Sequence, residues 1–280
     1  MNQYQNIINE ILNNGEDTQN RTDTNTRFIW GSMMKFDLTE GYPIDTLRKA
    51  HFKSMFHETM MFLRGETDTK TALEDEGIGI WKGNTSREFL DSVGLTELPE
   101  GSLGKGYSYQ WRNFNGPNGN DQIIQLLEGL KENPYGRRHI VTAWNPSQLD
   151  EMALPPCHLL QQYKVTPSGY LNSGFYMRSS DFILAAMTFN IPQYAFLNHV
   201  FAKYLGLTPG SLFYMGADVH IYHNHFGGAT QLLLRDPYSY PRLRINKELS
   251  TIDDIMDLEY EDVELLNYRY HPKIELPMAV

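Results

Sequence analysis

Cysteine is nearly missing from this chain: Cys157 is the only one among 280 residues. A single thiol makes no internal disulfide, which points to a reducing compartment. No apolar run reaches the about 18 residues of a membrane span, so none is expected. Met1-Asn2-Gln3-Tyr4-Gln5 lacks the basic and apolar regions of a signal peptide. Together these absences lead us to expect a cytoplasmic protein. Positive charge is also short. Lys and Arg number 24 against 34 Asp and Glu, a net charge of −10 that argues against a nucleic-acid surface. An anionic ligand therefore needs a local basic cluster. Absent too are a Gly-rich phosphate loop, a Rossmann fingerprint and a Gly-x-Ser-x-Gly elbow. With no internal repeat and no linker, residues 1–280 read as one domain.

What is present is ample for a large core: 41% of residues are hydrophobic and 12% aromatic. Helical spacing marks residues 4–14 and 47–63, with Gly15 and Gly65 as stops. Alternation marks 27–38 as a strand with one buried face. Residues 84–121 are rich in Gly, Pro, Asn and Ser and read as a surface excursion around a short element at 86–93. Asp121 caps a helix over 122–132, and 139–144 reads as a strand. Residues 158–166 and 170–178 read as strands joined by a turn at Thr166-Pro167-Ser168-Gly169. A helix over 190–205, a strand over 211–222 and a helix over 224–234 follow. Strands and helices mix without strict alternation, so the class is α+β.

Several constellations carry chemistry, each beside a plainer reading. Cys157, in Ala153-Leu154-Pro155-Pro156-Cys157-His158, is either a small buried hydrophobe or a nucleophile. Arg137-Arg138 is a solvated surface pair or a fork for phosphate oxygens. Arg178 ends an apolar strand, where a charge has to be paired or bind something; Arg21 sits in a Thr-rich loop. Glu58, among apolar helix neighbours, is a structural ion-pair partner or a carboxyl with a raised pKa suited to proton relay. Asn190 is a helix cap or an amide that reads a base edge. His220 and Tyr222 point the same way on a strand. The run His220-Ile221-Tyr222-His223-Asn224-His225 has the wrong spacing for a common zinc site, and no metal is expected.

In order, Arg21-Thr22-x-Thr24-x-Thr26, His57-Glu58, Ile80-Trp81, Gln110-Trp111, Gly136-Arg137-Arg138, Ala143-Trp144-Asn145-Pro146, the Cys157 stretch, Arg178-Ser179-x-Asp181, Phe189-Asn190-Ile191, Asp218-x-His220-x-Tyr222 and Met278-Ala279-Val280 resemble the thymidylate synthase family. The likeness runs from about residue 18 to Val280. It implies a single α+β domain whose mixed sheet is flanked by helices and packs against a second copy.

The resemblance also implies roles. Cys157 would attack C6 of dUMP, so that C5 gains carbanion character and accepts a one-carbon unit from the cosubstrate 5,10-methylenetetrahydrofolate. Arg21, Arg178 and Ser179 would hold the phosphate, with Arg137 and Arg138 reaching across a homodimer to the other subunit's site. Asn190 would read the uracil edge, and His220 and Tyr222 the deoxyribose hydroxyl. Glu58 would steer proton transfers with Tyr107 and His158 nearby. Trp81 and Asp181 would face the folate, and Val280 would close over the filled site. Three places depart from the family pattern: Met177 stands where Gln is usual, Leu184-Ala185-Ala186-Met187-Thr188-Phe189-Asn190 has one extra residue and lacks the usual Gly and Pro, and Lys105-Gly106 replaces Pro-Val. Two catalytic outcomes share the early chemistry. Hydride transfer gives dTMP and dihydrofolate; water addition gives the 5-hydroxymethyl nucleotide, as in related phage hydroxymethylases. A third reading is a non-catalytic homologue that binds nucleotide or RNA.

Overall fold

The computed structural model describes residues 1–117 and 119–277. It begins with helix α1 (Gln3–Asn14), fixed by a capping box in which Asn2 and Gln5 each bond the other's backbone N–H. Its buried Ile7, Ile8 and Ile11 follow the helical spacing. Strands β1 (Glu16–Thr18) and β2 (Thr26–Asp37) come next, and then helix α2 (Phe52–Arg64). α2 starts five residues after the periodicity predicts. Asp45 accepts the Leu47 N–H and pairs with Arg48, which holds that stretch in a buried turn. α3 (Thr69–Ala72) follows, and α4 (Arg87–Ser92) and α5 (Tyr107–Asn113) occupy the small-residue excursion. After α6 (Gln122–Glu132), strands β3 (Ile140–Thr142), β4 (His158–Val165) and β5 (Tyr170–Asp181) run into a π-helix (Phe182–Asn190) and α7 (Ile191–Leu205). β6 (Thr208–Tyr222), α8 (Phe226–Leu233), β7 (Arg242–Ile245), α9 (Ile252–Met256) and β8 (Val263–Leu266) complete the order.

Among the described residues one six-stranded mixed sheet has the order β1-β2-β6-β5-β4-β3. Only β5 and β6 are parallel; their crossover is the π-helix with α7. The 184–190 run lies within the π-helix, whose turns are wider than those of an α-helix. Asp181 Oδ1 receives the Leu184 N–H at its start, at 3.1 Å, and Arg48 donates to the Ile183 carbonyl. One hydrophobic core runs from Tyr4 to Ile274, with α1 and α7 packed over the sheet and α2 packed on α7 and α5. The opposite face is open: Trp30 is 76% exposed and Met33 71%.

Candidate active site

The site gathers at the C-terminal ends of the parallel pair β5 and β6. Their register sets Asp181 beside His220 and Ser179 beside Asp218. β2 continues the row, with Phe28 opposite His220 and Thr26 opposite Tyr222. Cys157 stands at the mouth of β4, half-buried. Arg178 holds this turn: Nε donates to the Pro156 carbonyl at 2.8 Å and Nη2 to that of Pro155 at 2.9 Å. Nη2 also comes within 3.9 Å of Cys157 Sγ. The Cys157 N–H donates to the Tyr107 hydroxyl at 2.6 Å. Burial pushes the thiol pKa up, and the guanidiniums of Arg178 and then Arg21 pull it down. The Arg21 loop thus reaches the same site. Burial and the Asp181 carboxylate raise the Tyr222 pKa, which Arg21 again opposes.

Behind the thiol lies an aromatic stack. His158 lies flat on Tyr107 with centroids 4.2 Å apart, and its Nδ1 shares a 2.8 Å hydrogen bond with the Tyr194 hydroxyl. Burial pushes the His158 pKa down to about 3. The ring is therefore neutral at physiological pH and bonds to a tyrosine rather than to sulfur, which removes a cysteine–histidine dyad. Glu58 is buried on α2 and pairs with no cation among the described residues. Trp81 Nε1 donates to its Oε1 at 2.8 Å and Gln193 Nε2 to its Oε2 at 3.2 Å. Burial raises its pKa to about 7, against the two hydrogen bonds.

Asn190 does not act as a cap: it has helical backbone angles, makes no side-chain capping bond, and its buried Oδ1 has no partner among the described residues. A buried amide oxygen left open is a place for a donor from outside the chain. The histidine run disperses. His220 Nδ1 donates to Asp218 at 2.6 Å, His223 meets Asp17 at 3.0 Å, and His225 donates to the Pro277 carbonyl at 2.6 Å. Arg137 and Arg138 stand exposed just before β3, at the sheet edge farthest from β1, and make no ion pair within the chain among the described residues. Val280 lies outside the described residues.

Tyr194 and Gln193 carry no signal in the sequence, and Trp144 only as part of the Ala143-Trp144-Asn145-Pro146 run. Trp144 lies under the Arg178 guanidinium at 5.5 Å, Tyr194 holds His158, and Gln193 holds Glu58. The last two share the first turn of α7 with Asn190, so helical spacing from a suspected base reader is the pattern that finds them.

A thiol flanked by guanidiniums, a buried carboxyl whose pKa is raised to about 7 and a buried amide oxygen without a partner among the described residues thus lie on one α+β scaffold. The chain matches the family model described as thymidylate synthase over residues 2–280, and it belongs to the thymidylate synthase family. It is also 40% identical over 289 residues to the bifunctional dihydrofolate reductase-thymidylate synthase of Paramecium tetraurelia. That match covers 100% of this chain, which spans 61% of the length of that curated relative.

Proposed function

We propose that this chain is a thymidylate synthase that methylates dUMP to dTMP through a covalent Cys157 adduct. The observation that carries the reading is the pairing of a guanidinium-flanked thiol with the buried, unpartnered Oδ1 of Asn190. Uracil presents N3–H as donor and O4 as acceptor; the Asn190 amide offers the complement of both. Cytosine has no N3–H. The relative's name favours the synthase over the hydroxymethylase outcome.

Each side chain then has a physical task. The Cys157 thiolate adds to C6, forming the C–S bond. The displaced ring electrons move towards C5 and O4, where the Asn190 Nδ2–H stabilises the developing charge. Glu58, with a pKa of about 7, both takes and returns a proton near neutral pH. Arg21, Arg178 and Ser179 hold the phosphate, and His220 and Tyr222 hold the ribose hydroxyl. Asp218 occupies His220 Nδ1 and so leaves Nε2 for the ligand. The residues fit 5,10-methylenetetrahydrofolate: Asp181 Oδ2 carries no hydrogen bond among the described residues and suits a pteridine N–H, while Trp81 offers its ring face. When bound, that cosubstrate supplies the one-carbon unit and the reducing electrons.

We further infer a homodimer. The open sheet face carries Trp30, Met33 and Phe213 and a groove of about 730 Å³, and in the proposed dimer the exposed Arg137 and Arg138 complete a partner's phosphate site. The unbroken core supports one catalytic domain over 1–280, and the lone thiol suits the cytoplasm. The test is an intact-mass spectrum after incubation with the 5-fluoro analogue of dUMP and methylenetetrahydrofolate. One nucleotide plus one folate adds to the wild-type chain, and nothing adds to Cys157→Ala. No added mass on the wild type removes the covalent mechanism.

A further inference from the structure

Gln193 lies three residues beyond Asn190, on the same face of α7, and is wholly buried. Its Nε2 donates to Glu58 at 3.2 Å. Its Oε1, like Asn190 Oδ1, is buried without a partner among the described residues. The first turn of α7 therefore carries two amides. One is joined to the acid and one is open to a ligand, and each has an unused acceptor oxygen. By rotating, an amide exchanges its donor and acceptor ends. It donates to a carboxylate and accepts from a carboxylic acid, which suits a neighbour that alternates between the two.

We propose that Gln193 is a positioning residue for Glu58, holding the carboxyl in both protonation states and setting its proton affinity one helical turn from the base reader. This rests on the reading of Glu58 as the proton relay of a nucleotide site. The surroundings make the hydrogen bond consequential. Glu58 sits on a helix whose neighbours Thr59, Met60, Met61 and Phe62 are buried. The titratable groups that face it are the hydroxyls of Tyr107 on α5 and Tyr194 on α7. The cations of its own helix are engaged elsewhere: Lys53 with Glu76 and Arg64 with Glu259. Two neutral donors, Trp81 and Gln193, thus oppose the desolvation of this carboxyl, and no nearby charge substitutes when one is lost.

Gln193→Met keeps the side-chain length and removes both the donor and the acceptor. The Trp81 indole N–H, bonded to Glu58, gives an NMR signal that follows the carboxyl whether or not the protein turns over; Trp81→Phe assigns it. We expect its midpoint near pH 7 in the wild type, and about one unit higher in Gln193→Met. Gln193→Asn, too short to reach Glu58, gives the same upward shift and carries the test if the Met variant does not fold. On dUMP, kcat falls about tenfold or more while KM stays nearly constant. A Trp81 midpoint unmoved in both variants overturns the proposal. A shifted midpoint in a protein that does not act on dUMP supports the Gln193–Glu58 coupling and removes the nucleotide reading instead.

Discussion

Burial and charge pull against each other at single residues of this site, and the outcomes differ. At Cys157 two guanidiniums oppose the desolvation of a thiolate. At Glu58 only neutral donors do, and the carboxyl titrates near pH 7 instead of its ordinary 4.5. Between those values the folded chain binds more protons at Glu58 than the unfolded chain. Its contribution is therefore fully present below pH 4.5 and is lost as pH rises through 7. The loss is on the order of 3 kcal/mol. Glu58→Gln, which stays neutral, should be the more stable protein at pH 8 and no more stable than wild type at pH 4.5 or below. Denaturant midpoints at the two pH values check this; equal differences at both would show that Glu58 is not buried as a carboxylic acid. Asn190→Asp should move preference from dUMP towards dCMP, because a protonated carboxyl offers the altered pattern that cytosine requires. Competition between the two nucleotides measures it, and unchanged selectivity would return Asn190 to a structural role.

Among the elements, the π-helix carries the chain from Asp181 to Asn190. Its first turn is tied to the buried Arg48–Asp45 pair. Burial raises the Asp45 pKa to about 6. Arg48→Met leaves that carboxylate unpaired, at a cost of about 3 kcal/mol. The cost should be largest at alkaline pH and shrink as pH falls towards about 6, because without Arg48 the Asp45 carboxyl takes up its proton above the wild-type value. Thermal melts across that range decide it; a pH-independent cost would mean lost packing alone. Much of this level was legible in the sequence. The spacing of Ile7, Ile8 and Ile11 marked α1, the Thr166–Gly169 turn marked the β4–β5 hairpin, and Asp121 marked the start of α6. The rest was hidden for physical reasons. β1 is three polar residues whose strand state comes from pairing with β2. α5 follows Gly104 and Gly106, which read as loop. The π-helix is as apolar as any buried segment, so no periodicity shows its wider turn. At the site, Cys157, Glu58 and Arg178 stood out as unusual residues in their surroundings. Gln193 did not, because its meaning comes from a carboxyl 135 positions away.

For the whole molecule, one chain carries the proposed nucleophile, relay and base reader, while Arg137, Arg138 and an apolar sheet face have no partner among the described residues. The proposed homodimer would account for both. Mixing inactive Cys157→Ser with inactive Arg137→Glu/Arg138→Glu and allowing subunit exchange should restore activity, since each mixed dimer contains one intact site. Persistent inactivity, with exchange verified by sedimentation, would place the arginine pair outside catalysis. Met33→Asp should shift the protein towards monomer and lower activity in parallel.

On the proposed reading this site carries a carbon to C5 of dUMP and delivers it as methyl. Product analysis after incubation with dUMP and 5,10-methylenetetrahydrofolate tests it most directly. The expected products are dTMP and dihydrofolate in equal amounts. A 5-hydroxymethyl nucleotide with tetrahydrofolate, or unreacted dUMP, would contradict it.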